Sequence, residues 1–137
     1  MSTKIFVNLP VKDLTKSIEF FSKLGYSFNE QFSDENATSM IIAEDIVVML
    51  LVEPFFKTFI GNKEISDAKK STEVLICLSA ESREKVDELV RLAVEAGGTA
   101  SASKQDHGWM YGHGFEDLDG HQWEVMYMDT TAIPENP

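Results

Sequence analysis

The sequence predicts an α+β fold made of two βαβββ modules. Two observations carry this prediction. Period-2 apolar runs and 3.6-period apolar faces follow one another in the same order twice along the 137 residues. A unit of that size buries neither its helix nor its sheet alone, so the halves are expected to pack together.

Ile5-Phe6-Val7-Asn8-Leu9 opens the first module as a strand. Asp13 is placed to cap the helix that follows, because its short carboxylate can accept from free N–H groups of the first turn. Leu14, Ser17, Ile18, Phe21 and Leu24 line one helical face, and Gly25 stands where a C-terminal cap belongs. Three strands are expected next, at 26–32, 37–43 and 46–52, separated by the turn-formers Asp34-Glu35-Asn36 and Glu44-Asp45. The second module opens with a strand at 74–78. Ser82 caps a helix whose apolar face is Val86, Leu89, Val90, Ala93 and Val94, and Gly97-Gly98 ends it. Strands at 99–103, 110–115 and 121–128 complete the repeat. The boundaries are therefore module one 3–53, linker 54–72, module two 73–129 and tail 130–137, with Pro134 to Pro137 read as frayed. Pro54 to Ile60 has short-helix apolar spacing and reads as a hydrophobic anchor within the linker.

Composition narrows the function classes. Net charge is -11, with 23 acidic against 12 basic side chains, which argues against nucleic acid or an anionic membrane as partner. No apolar run approaches the roughly 20 residues that span a bilayer. Met1-Ser2-Thr3-Lys4 leads straight into strand-like sequence, so no signal peptide is expected. Cys77 is the single cysteine, which excludes an internal disulfide and a cysteine-based zinc cage and is compatible with the cytoplasm. No glycine-rich phosphate loop, nucleotide fingerprint or Ser-His-Asp arrangement is visible.

The most informative stretch is F-E-D-L-D-G-H-Q-W-E-V-M-Y-M-D, Phe115 to Asp129. It reads as two strands joined by a turn at Asp117-Leu118-Asp119-Gly120. The return strand sets a carboxylate, Glu124, among Trp123, Val125, Met126, Tyr127 and Met128. A buried unpaired charge is costly, so Glu124 either reaches solvent or faces a cavity where it has a role. Alternation places Gln122, Glu124, Met126 and Met128 on one side of the strand. A turn confined to 117–120 sets Phe115 opposite Gln122 and His113 opposite Glu124, with Tyr111 and Trp109 continuing that face. Opposed residues have Cβ atoms about 4.5–5.5 Å apart, close enough for a histidine–carboxylate contact. A one-residue bulge would break this pairing.

The duplicated order, the opening N-L-P-V-K-D-L-T-K-S-I-E-F-F and the closing D-L-D-G-H-Q-W-E-V resemble the glyoxalase / bleomycin-resistance / extradiol-dioxygenase family, the vicinal oxygen chelate superfamily. The resemblance covers roughly Thr3 to Asp129. It departs from the family pattern at Leu118, where Asp-Pro-Asp-Gly is usual. It implies a cupped mixed sheet enclosing a small-molecule cavity, commonly in a homodimer. It also implies four metal-ligand positions, usually His, Glu, His and Glu. Here they fall on Phe6, Leu50, Leu75 and Glu124. Three are apolar, and divalent ions need oxygen, nitrogen or thiolate donors, so the standard metal site is expected to be lost.

The resulting candidate site is a mostly apolar cup with few polar groups. Phe6, Asn8, Leu50, Leu75 and Cys77 are expected to line it from other strands, beside Trp109, Tyr111, Gln122 and Met126. Glu124 and His113 are the catalytic candidates, as a proton-transfer pair. The bland alternatives are that Glu124 accepts a structural hydrogen bond, that Cys77 is a small buried hydrophobe, that the methionines are core, and that His107 and His121 are solvated. Three functions compete: a metal-free protein binding a small organic molecule, as bleomycin-resistance-type proteins do; a lactoylglutathione-lyase-like or dioxygenase-type enzyme with a divalent metal on Glu124; and a structural role. The first is the expected function, with no cofactor.

Overall fold

The computed structural model describes residues 3–134. The tail expected from Pro134 onward thus lies outside the described residues, save Pro134 itself. The chain divides into two compact units between Ser66 and Asp67.

In the first unit, β1 (Ile5–Val11), β2 (Ser27–Asn29), β3 (Ala37–Ala43) and β4 (Ile46–Val52) form one sheet in the order β1-β4-β3-β2. The β1–β4 pair is parallel, and the others are antiparallel. Helix α1 (Leu14–Lys23) starts at Asp13, whose carboxylate accepts from the Lys16 N–H at 3.1 Å. Gly25, at φ 102°, lets the chain leave the helix in the left-handed region. The helix buries Leu14, Ser17, Phe20 and Phe21, with Phe20 and Phe21 in edge-to-face contact at 4.9 Å. Phe20 is an addition to the face read from the sequence, whereas Ile18 is only half-buried. The strand expected at 26–32 is shorter. Asn29 accepts from the Gln31 N–H at 3.0 Å and turns Glu30–Phe32 into a 3-10 turn. An Asn side chain that satisfies its own neighbouring backbone competes with the sheet ladder, which explains the early stop. Helix α2 (Glu53–Lys57) begins directly after β4, with proline in its first turn where no N–H is missed.

In the second unit, β5 (Leu75–Ser79), β6 (Thr99–Ala100), β7 (Gln105–Asp106), β8 (Met110–Glu116) and β9 (Gln122–Met128) form a sheet in the order β5-β9-β8-β6, and β7 also pairs with β8. Helix α3 (Arg83–Glu95) is capped by Ser82, which accepts from the Lys85 N–H at 3.0 Å. It buries Val86, Leu89, Val90 and Ala93 against β8 and β9. Val94, expected on that face, is 47% exposed. The stretch 104–108, between the strands expected at 99–103 and 110–115, contains the short strand β7. The core of this unit is Trp123, Val125 and Phe115, with the Phe115 and Trp123 rings stacked at 6.2 Å. The fold is α+β with two sheets of mixed strands, as the sequence predicts. No helix among the described residues is long and apolar enough to cross a membrane.

Candidate functional site

The closing hairpin departs from its expected register. Glu116 opposes Gln122, Phe115 opposes Trp123, Gly114 opposes Glu124, and His113 opposes Val125. The cause lies in the turn. The Asp117 N–H donates to the His121 carbonyl at 3.0 Å and the Gly120 N–H to the Asp117 carbonyl at 3.1 Å, with Gly120 at φ 90°. Gly120 and His121 together oppose Asp117, which is the extra residue of a glycine bulge. Asp117 holds the loop from inside. Its carboxylate accepts from the N–H groups of Asp119 (2.9 Å) and His121 (3.0 Å) and from the Trp123 indole (3.0 Å).

One extra residue reverses every face assignment on β8. His113 and Tyr111 therefore share the face of Val125 and Trp123, turned to α3, and not that of Glu124. The His113 Nε2 lies 3.1 Å from the Ser101 carbonyl, and the Tyr111 hydroxyl donates to Asp87 on α3 at 2.6 Å. The His113–Glu124 proton-transfer pair is overturned by this register. Trp109 lies one residue before β8, half-buried, and its carbonyl accepts from the Asp129 N–H at 2.8 Å.

Opposite Glu124 stands a glycine. A Cβ on Gly114 would lie 2.7 Å from Glu124 Oε1 and 2.6 Å from Ser101 Oγ, so the carboxylate lies over this bare backbone. Glu124 is half-buried, and on its face the parallel β5–β9 register sets Leu75 beside Gln122 and Cys77 beside Glu124, with Met126 one step further. Gln122 is engaged locally, accepting from the Thr72 hydroxyl at 2.6 Å. Cys77 is exposed rather than buried. Partial desolvation first, and then the Glu124 carboxylate, raise its thiol above the ordinary value, which is the opposite of what activates a nucleophile.

The first unit holds a cavity of about 710 Å³ on the sheet face away from α1. Its walls are Phe6, Phe32, Ile41, Val47 and Met49. Registers Phe6↔Val47, Ile41↔Val47 and Ser39↔Met49 put these side chains on one face. Asn29 and Ser39, themselves cross-strand partners, add two polar groups, and Lys4, Glu44 and Asp45 stand at the rim. Phe6 thus lines a cavity. Asn8 shares its side of β1, and its amide donates to the Phe6 carbonyl at 3.2 Å. Leu50 does not belong to this face. It pairs with Leu9, is 0% exposed and packs toward α1, while Met49 occupies the cavity side. The uniformly apolar run Ile46–Val52 carries no alternation to mark its faces, so sequence reading chose the wrong parity. It also missed Asn29, Phe32, Ser39, Ile41, Val47 and Met49. Strand alternation places Ile41 with Ser39 and Val47 with Met49, but only the pairing register ties those sets to Phe6.

The side chains present do not fit the metal site that the resemblance implies. Phe6 and Leu75 offer no donor, Leu50 faces the helix with a methionine beside it, and Glu124 alone supplies oxygen. Among the described residues, no group of three or more His, Cys, Asp or Glu is placed to hold an ion.

A comparison with curated proteins finds no match. Among solved structures, the chain is similar to the hypothetical protein SA1046 from S. aureus, with 29% identity over 93% of this chain and 94% of that one and a TM-score of 0.77. It shares its fold with a glyoxalase/bleomycin resistance protein/dioxygenase family enzyme from Burkholderia phytofirmans PsJN (16% identity, 90% and 96% covered, TM-score 0.76). The fold is also that of the genomically encoded fosfomycin resistance protein FosX from Listeria monocytogenes (20% identity, 93% and 91% covered, TM-score 0.67). The family model for the Glyoxalase/Bleomycin resistance protein/Dioxygenase superfamily matches residues 5–125, and the chain belongs to that superfamily.

Proposed function

We propose that this protein binds a small organic molecule in the cup of its first sheet, without the superfamily's four-ligand metal site. The observation that carries the reading is the cavity of about 710 Å³ with five apolar walls and two neighbouring polar side chains. That volume falls within the roughly 300–1,000 Å³ of ligand pockets, and the mixture of apolar wall and sparse polar groups is their usual make-up. The donor set around Glu124 supports the metal-free part. In this reading Glu124 and Cys77 form the polar portion of the second sheet's open face, and no proton transfer through His113 is invoked. A homodimer and a cytoplasmic location complete the proposal.

Calorimetric titration with a neutral naphthalene derivative, 2-acetonaphthone, tests it. Val47→Trp places an indole in the cavity and is expected to weaken binding at least about tenfold, a loss of ~1.4 kcal/mol. Unchanged affinity in a folded Val47→Trp protein rejects the cavity as the site. Metal analysis of purified protein checks the second part: a stoichiometric divalent ion that disappears on Glu124→Ala rejects the metal-free reading.

A further inference from the structure

We propose that the first-sheet cavity selects for an uncharged or cationic ligand carrying a hydrogen-bond acceptor, and against anions of the same shape. This rests on the cavity being the binding site. Asn29 and Ser39 oppose each other across β2 and β3 and both line the cavity. The Asn29 side-chain oxygen accepts from the Gln31 N–H at 3.0 Å, and its NH₂ adds a donor to the cavity lining. Ser39 is only 5% exposed, yet no buried side-chain polar atom among the described residues is left without a partner. Ser39 lines the cavity, where its hydroxyl can donate or accept. Two polar groups with Cβ atoms about 4.5–5.5 Å apart can converge on one carbonyl, ether or ring-nitrogen acceptor.

The rim sets the charge preference. Among the described residues lining the cavity, Lys4 carries the only positive charge, and its ammonium lies 3.9 Å from the Asp45 carboxylate. Glu44 adds a second carboxylate, so among the described lining residues two negative groups stand against one positive. The chain as a whole carries -11. An anion entering this cup meets apolar walls and a rim in which one lysine is outnumbered by two carboxylates, so it loses hydration for little counter-charge. The position of Phe32 reinforces the selection. The 3-10 turn holding it is pinned by the Ser33 hydroxyl, which donates to the Asn29 main-chain carbonyl and contacts Thr38 Oγ1, each at 2.8 Å. The ring is 65% exposed at the cavity edge, poised to stack on a planar ligand.

Calorimetry with four near-isosteric naphthalenes tests the proposal: 2-acetonaphthone (neutral, acceptor), 2-isopropylnaphthalene (neutral, no acceptor), 2-naphthoate (anion) and 2-naphthamidine (cation, no acceptor). The expected order is acetonaphthone tightest, then naphthamidine, whose charge suits the rim but which has no acceptor, with naphthoate at least about tenfold weaker than acetonaphthone. Ser39→Ala together with Asn29→Ala is expected to erase the advantage of acetonaphthone over isopropylnaphthalene, an effect of roughly 2- to 10-fold, the usual net worth of one hydrogen bond. Naphthoate binding as tightly as acetonaphthone, or an advantage of acetonaphthone over isopropylnaphthalene that survives Ser39→Ala together with Asn29→Ala in a folded protein, overturns the ligand class while leaving the cavity as a binding site. Failure of all four to bind overturns the binding reading itself.

Discussion

Gly114 has no side chain, and the Glu124 carboxylate fills the space where one would stand. A Cβ there would also lie 2.7 Å from the Trp123 carbonyl oxygen, a backbone atom that cannot rotate aside. Gly112, two residues earlier on the same face, is less crowded, its nearest contact being the Val125 carbonyl at 3.4 Å. Gly114→Ala is therefore expected to cost ~1–3 kcal/mol and to swing Glu124 off the sheet, while Gly112→Ala costs less than about 1 kcal/mol. Thermal unfolding of the two variants checks this, and equal melting temperatures would remove the claim that Glu124 rests on Gly114. At this scale the sequence was informative about Glu124, because a carboxylate in so apolar a strand is conspicuous. It was silent about Gly114, since nothing local announces which strand residue a carboxylate will lie across.

At the scale of elements, β7 and the loop around it are tied to α3 by charge. Arg83 donates to both Asp106 oxygens at 2.9 and 3.1 Å and to the Gly108 carbonyl at 2.9 Å, and its guanidinium lies 4.9 Å above the Tyr111 ring. Lys104 reaches Asp87 at 3.3 Å, which also accepts the Tyr111 hydroxyl. The Arg83 hydrogen bonds, and then the Gly108 N–H, hold the Asp106 carboxyl down at about 2 from an ordinary 3.8. A depressed carboxylate contributes its stabilisation in full above 3.8 and loses it as pH falls through about 2. NMR titration of the Asp106 carboxyl is expected to give a midpoint near 2, moving up toward 3.8 in Arg83→Ala. A midpoint unaffected by that substitution would dissolve the pair. The helices were legible because Asp13, Ser82, Gly25 and Gly97 mark their ends with chemistry that acts locally. Strand β7 was not, because Gln105-Asp106 has no strand pattern of its own and owes its conformation to β8 and to Arg83.

For the whole molecule, each sheet ends in an edge strand of apolar character. β1 leaves Ile5 and Phe6 at 65% and 56% exposure, and the β5 end leaves Val74 and Leu75 at 52% and 56%. Unprotected apolar edges invite pairing with another chain. The proposed homodimer predicts a sedimentation mass of about twice 15.4 kDa, and substitution of Phe6 and Leu75 by lysine is expected to shift it toward the single-chain mass. A single-chain mass for the unaltered protein would remove the dimer. By itself the sequence determined the α+β class, the duplicated modules, helices α1 and α3 with their caps and the superfamily, because these follow from periodicity and short-range chemistry. Tertiary structure alone decided which face each strand presents. The bulge at Gly120 sent His113 and Tyr111 to the helix side. The parallel register of β1 with β4 buried Leu50 and turned Met49 toward the cavity. Side chains alternate with a period of two, so a displacement of one residue reverses a whole strand, and register is set by pairing partners distant in the chain.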